Sequence, residues 1–192
     1  MTEQITVVIP TIPPRVSKLR IAVESVLYQT YGAATISIPV DHAKQGAAIN
    51  RQRGLDSVTT EWVAFLDDDD RFYPEHLEKL IECALKTEAD YVYSWYDVKG
   101  GSDPRPEYFG MEFDPANPNQ TTITTLVRTD LAKSVGFVWD DPHLDSPDRH
   151  YAGEDWFFTK GCNDLGAKIV HLPEKTWEWV HWGGNTSGLP RW

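Results

Sequence analysis

The sequence predicts an α/β domain built on a mostly parallel sheet with helices on both faces. Short apolar, β-branched runs alternate with segments of helical period through the first half. Those runs are mostly apolar, as strands covered on both sides must be, and they stop sharply at Pro or Asp. The 192 residues, 41% of them hydrophobic, suffice for one well-formed core, and no stretch reads as a linker.

The first run, ITVVIP (5–10), reads as a doubly buried strand. From Val16, Leu19, Val23, Val26 and Leu27 fall at helical spacing, and that helix ends near QTYG. ISIPV (36–40) predicts a second strand leading into Asp41, and QGAAINRQRGLDSV (45–58) a helix after a Gly turn. WVAFL (62–66) is the third strand; after it, Pro74 opens a helix carrying Leu77, Leu80, Ile81 and Leu85. DYVYSWYDV (90–98) predicts a fourth strand, and residues 99–119, rich in Pro and Gly, a long loop. QTTITTLVR (120–128) reads as a strand, TDLAKSVG (129–136) as a short helix, and 137–153 as a second loop. GEDWFFTKGCNDLG (153–166) predicts a helix opened by acids and closed by Gly166, and AKIVHL (167–172) a strand. In TWEWVHW the aromatic alternation puts Trp177, Trp179 and His181 on one strand face.

A formal net charge of −11 argues against broad affinity for nucleic acid or anionic membrane, apart from a local groove of Arg15, Lys18 and Arg20. The two cysteines, Cys83 and Cys162, have neither zinc nor disulfide spacing, which fits a reducing compartment. MTEQITVVIP lacks a signal-peptide pattern, and no apolar stretch is long enough to cross a bilayer. The expectation is a soluble cytoplasmic protein without stable membrane insertion, of undefined oligomeric state.

In such sheets ligands bind at the carboxyl ends of the strands, where Thr11, Asp41 and Asp67 to Asp70 are predicted to lie. Four adjacent acids after a buried strand repel one another, and a divalent cation would remove the repulsion. An EF-hand is excluded, because the sixth position from Asp67 is Phe72 where a Gly is required. D-x-D between strand and helix suits Mg²⁺ or Mn²⁺ completed by diphosphate oxygens. A solvated turn, its acids favouring the following helix, is the other reading; from these residues alone both stand.

Several stretches together resemble the inverting glycosyltransferases of family two, which have the GT-A fold. They are VVIPT, VLYQTY, Asp41, GAAINRQRGL, AFLDDDDRFYP, TTLVRTDLAKSVGF, GEDWFFTKGCNDLGAKI and HWGGNTS. The resemblance implies a single GT-A-like domain with a Rossmann-like sheet and a smaller mixed C-terminal portion. Its residues 1–98 would form the nucleotide-binding half and 99–192 the acceptor and catalytic half. It also implies that Thr11, Asp41 and Arg51 hold the nucleotide, that Asp67 faces the ribose with Asp68 in the donor-binding set, and that Asp69 and His181 hold the metal, Asp70 assisting. Asp155, second of the E-D pair, matches the base that deprotonates the acceptor. The implied activity is transfer of a sugar from a nucleotide diphosphate, UDP by resemblance, with Mn²⁺ or Mg²⁺. Gln52 and Trp179 depart from the family pattern, standing where Asn and Arg are usual.

The expected partners are a nucleotide-sugar donor and an acceptor hydroxyl on a glycan, a protein, a small molecule or a modified nucleobase. Two other readings are weighed. A sugar nucleotidyltransferase would need a Gly-rich loop after the first strand, and TIPPRVSK has no Gly. A carbohydrate- or nucleotide-sugar-binding module that lost the reaction would differ in turnover alone. The loop aromatics Tyr108, Phe109 and Phe113, and one Trp of the C-terminal strand, are candidates for stacking on a sugar.

Overall fold

The computed structural model describes residues 3–32, 35–117, 120–137 and 153–181. Among the described residues seven strands form one sheet in the order β2-β1-β3-β6-β5-β7-β4. They are β1 (Ile5–Val8), β2 (Thr35–Ser37), β3 (Trp62–Phe65), β4 (Arg71–Phe72), β5 (Tyr91–Lys99), β6 (Thr125–Arg128) and β7 (Ile169–Val180). β1 is parallel to β2 and β3, and β5 to β7, while β6 and β4 run antiparallel to their neighbours. Traced across the sheet, only β6 and β4 oppose the common direction, so the sheet is mostly parallel, as expected.

Among the described residues five α-helices accompany it: α1 (Val16–Leu27), α2 (Ala47–Asp56), α3 (His76–Thr87), α4 (Thr129–Val135) and α5 (Glu154–Asp164). Side chains along β5 alternate between faces and show where two of them lie. Ser94 hydrogen-bonds Thr176, which bonds His76 of α3, whereas Tyr91 bonds Thr159 of α5, so α3 and α5 cover opposite faces. Leu77, Leu80, Ile81 and Ala84 of α3 are buried as their spacing predicts, and Leu85 is turned outward. β1 and β3 are wholly buried, which is why both read as apolar, β-branched or aromatic runs, broken only by the buried Thr6.

The boundaries differ where sequence propensity meets hydrogen-bond supply. β2 stops at Ser37 instead of Val40, because Pro39 has no N–H for the ladder; pairing resumes as a single Thr11–Val40 bridge. The predicted strand at 120–128 forms only from Thr125, since Gln120 turns its amide to the loop, accepting from the Asp114 N–H. AKIVHL and the aromatic segment after it are one strand, β7. Pro173 and Glu174 slip out of the pairing where Leu172 faces Ser94 and Lys175 faces Trp95, a bulge that the sequence presents as a break. The two-residue β4 was too short to be read from pattern. The predicted loop 137–153 lies almost wholly outside the described residues.

Gly54 shows why α2 carries a glycine mid-helix: a Cβ there would collide with Val8 Cγ1 of the central strand. At the start of α2, Gly46 has φ 97°, a conformation other residues adopt only with strain.

Candidate active site

The loops leaving β1, β2 and β3 are tied together at their carboxyl ends. The Asp41 N–H donates to the Thr11 carbonyl, and the Thr11 N–H to Pro39. Asn50 on α2 adds a clasp, its amide donating to the carbonyls of Thr11 (3.1 Å) and Pro39 (3.0 Å). Asp41 is buried and accepts from the Gly46 N–H at 2.8 Å. Burial alone would raise its pKa, but the N–H groups of Gln45 and Gly46 outweigh it, and the net shift is downward.

The four aspartates have four environments. Asp67 accepts from Arg51 Nη2 at 2.5 Å. Asp68 is turned inward, with Thr11 Oγ1 on one oxygen at 2.6 Å and Arg15 Nη1 on the other at 2.9 Å; both oxygens are committed within the chain. Burial pushes its pKa up to about 6, against the pull of Thr11 and Arg15. Asp69 lies 3.6 Å from the same Arg15 nitrogen, its side chain 6% exposed. Asp70 is buried and accepts from the Val180 N–H at 2.8 Å; burial first, and the charge of Asp67 next, hold its pKa well above the carboxylate range. The sequence placed Asp68 toward the donor, and its geometry is that of a residue anchoring the acidic loop to β1.

Ionising Asp70 in the fold therefore carries a cost. A carboxyl whose folded pKa exceeds its unfolded value contributes stability below the unfolded pKa and loses it as pH rises through the folded one. Asp70→Asn, which can keep the Val180 hydrogen bond, is expected to stabilise the fold at pH 7 in EDTA by about 1–2 kcal/mol. Little change is expected at pH 4. Melting curves at the two pH values check this, and a variant less stable than native protein at pH 7 contradicts it.

Arg51 joins the acidic run to the E-D helix. Its two terminal nitrogens meet Asp67 and Glu154, the guanidinium is almost fully buried, and Nε has no hydrogen-bond partner. Burial works against its charge, but Asp67 and Glu154 outweigh that and raise its pKa. Asp155 follows on the first turn of α5, partly buried, with one oxygen accepting from the Trp156 N–H. Burial, then the charge of Glu154, raise the Asp155 pKa, and Arg51 opposes them.

His181 lies at the end of the β5–β7 pair, donating its N–H to the Lys99 carbonyl, one residue beyond the Val180 that holds Asp70. Its ring packs edge-on against Trp179 and beside Gly101, and Nε2 is buried with no hydrogen-bond partner. Trp177 is core, as the alternation predicts. Among the described residues no three His, Cys, Asp or Glu side chains form a preformed metal cage. The donor set nonetheless fits a hard divalent ion completed by phosphate and water: a crowded acidic run, and an imidazole nitrogen with an unused lone pair or proton.

Sequence reasoning overlooked Asn50 and Glu154. It read Glu154 only as the first acid of the E-D pair at a helix start and gave it no role of its own, and nothing in one sequence signals its partner 103 positions away on α2. Gln52, the departure from the family pattern, ties α2 to the end of α4 by accepting from the Phe137 N–H.

The sequence profile of glycosyl transferase family 2 matches residues 36–133, just over half of the chain. The chain belongs to glycosyl transferase family 2. An uncharacterized glycosyltransferase of Haemophilus influenzae is 38% identical over 120 residues, 62% of this chain and 37% of that one. The uncharacterized glycosyltransferase YibD of Escherichia coli is 42% identical over 48 residues, 25% of this chain and 14% of YibD. The crystal structure of S. aureus TarS 1-349 with UDP-GlcNAc superposes with a TM-score of 0.78 at 16% identity, covering 97% of this chain and 61% of that one. The chain thus spans less than two thirds of each of these relatives. The family-2 fold is the GT-A type expected, and the acidic run and Thr11 stand at the carboxyl ends of strands, the edge at which open α/β sheets generally bind ligands. Among the described residues no helix is long and apolar enough to cross a membrane.

Proposed function

We propose that this chain is a metal-dependent inverting glycosyltransferase that moves a sugar from a nucleotide-diphosphate donor, UDP before others, to an acceptor hydroxyl. The observation that carries the reading is the junction at Arg51, which brings the acidic run and the E-D helix to one guanidinium. Family membership and the UDP-GlcNAc held by TarS support the choice of donor.

In this reading Thr11 and Asp41 shape the nucleotide end of the cleft and Asp67 reaches the ribose. Asp69 and His181 would hold Mn²⁺ or Mg²⁺, which when bound would supply Lewis acidity to the departing nucleotide diphosphate. Asp155 takes the acceptor proton as the hydroxyl oxygen attacks the anomeric carbon and the bond to the diphosphate breaks. One displacement from the face opposite the leaving group inverts the anomeric configuration. A carboxylate with a raised pKa is a stronger base than an ordinary Asp, provided it is ionised at working pH.

The test is Mn²⁺-dependent binding and slow hydrolysis of UDP-GlcNAc, UDP-glucose, UDP-galactose and GDP-mannose. One donor bound and turned over only with metal is the expected result. If none binds with Mn²⁺ or Mg²⁺, the reading is wrong; binding without turnover, even with acceptors added, leaves a nucleotide-sugar-binding module.

A further inference from the structure

Neither Arg51 nor Glu154 has a chemical role in the reaction proposed above, yet its two halves meet through them. Arg51 is 5% exposed and sits on α2 next to Asn50, whose clasp on the β1 and β2 loops makes the anchor point rigid. From that point one terminal nitrogen holds Asp67 of the acidic run and the other holds Glu154, the residue before Asp155. A guanidinium is a planar, permanently charged fork whose donors diverge at fixed angles, so it spaces two carboxylates as well as neutralising them. Without it, Asp67, Glu154 and Asp155 would be like charges in a partly buried place, and the first turn of α5 would be pushed from the run.

We propose that Arg51 and Glu154 are positioning residues, a buried strut that fixes the Asp155 carboxylate relative to the acidic loop that receives the donor. This rests on the glycosyltransferase reading and deepens it: Arg51, matched by resemblance to a nucleotide-holding position, spends both terminal nitrogens on acids. Misplacing a reacting group by about 1 Å can cost 10²-fold in rate, so the Glu154 arm of the strut acts on turnover and not on donor affinity, whereas the Arg51 arm also holds Asp67.

Glu154→Gln keeps the shape of the side chain and removes the charge that Arg51 grips. It is expected to lower kcat for UDP-GlcNAc hydrolysis by about 10- to 100-fold. The KM for UDP-GlcNAc and the Kd for UDP with Mn²⁺ should stay within about twofold, on a protein whose circular dichroism is native. Arg51→Lys, whose ammonium reaches one carboxylate but not both, should lower kcat similarly, and the double variant should be no worse than the worse single one. A Glu154→Gln loss that falls on KM, or a Glu154→Gln protein with native kcat whatever its melting temperature, overturns the strut and leaves the glycosyltransferase reading intact. A wild-type protein that binds no UDP and hydrolyses neither UDP-GlcNAc nor UDP-glucose overturns that reading, and the strut with it.

Discussion

Asp155→Asn is expected to lower sugar transfer by about 10²- to 10⁴-fold, the usual worth of a general base, while nucleotide binding stays within about twofold. The substitution preserves size and the oxygen that accepts from the Trp156 N–H, so the first turn of α5 should keep its shape. What it removes is the capacity to take a proton. Two further signatures separate this from a structural effect. Asp155 has a pKa raised by burial and by Glu154, so the native rate should fall on the acid side through a midpoint above the ordinary carboxylate value. That limb should vanish in the variant. And removing a negative charge beside Arg51 and Asp67 should not destabilise the fold, so the melting temperature should hold or rise. Initial rates over pH 4 to 8 with saturating donor, alongside UDP titrations, provide the comparison. A variant retaining more than about a tenth of the native rate at pH 7 would remove Asp155 from the role of base.

How much of this was legible in the sequence follows from the range of each interaction. Strands β1 and β3 were readable because burial on both faces leaves mostly apolar runs, and α3 because its apolar residues recur at helical spacing. The acidic run announced a site because its cost is local: four neighbouring charges need no partner to be noticed. What escaped was long-range or defined by backbone supply. β7 passes through a Pro-containing bulge that only its pairing with β5 reveals. The four aspartates look equivalent in sequence. Their division into one anchored by Thr11 and Arg15, one gripped by Arg51, one held by a backbone N–H and one beside Arg15 depends on residues as far away as Val180. Resemblance named positions for the nucleotide and the metal but could not see that Asp68 and Arg51 spend their polar atoms inside the chain.

That division makes Asp69 the most informative of the four to remove. Asp68→Ala would release the loop from Thr11 and Arg15, and Asp67→Ala would strip Arg51 of a partner, so both mix structural with functional loss. Asp69 lies 3.6 Å from a guanidinium already held at 2.9 Å by Asp68, so its removal leaves the Thr11–Asp68–Arg15 and Arg51–Asp67 anchors of the run in place. In EDTA, Asp69→Ala is expected to melt at or above the native temperature, since one like charge leaves the crowded run. With Mn²⁺ and UDP the order should reverse. Native protein is stabilised by whatever binds only the folded state, by about 2.7 kcal/mol at a hundred times Kd, and the variant should gain almost none of this. UDP affinity in Mn²⁺ should fall by about 10- to 100-fold, and adding EDTA should then change little, because the metal's contribution is already gone. Calorimetric titration of UDP into both proteins, with and without Mn²⁺, separates the possibilities. If Asp69→Ala keeps its metal-dependent gain in UDP affinity, the ion is held elsewhere, and Asp70 with His181, joined through the Val180 backbone, becomes the pair to test.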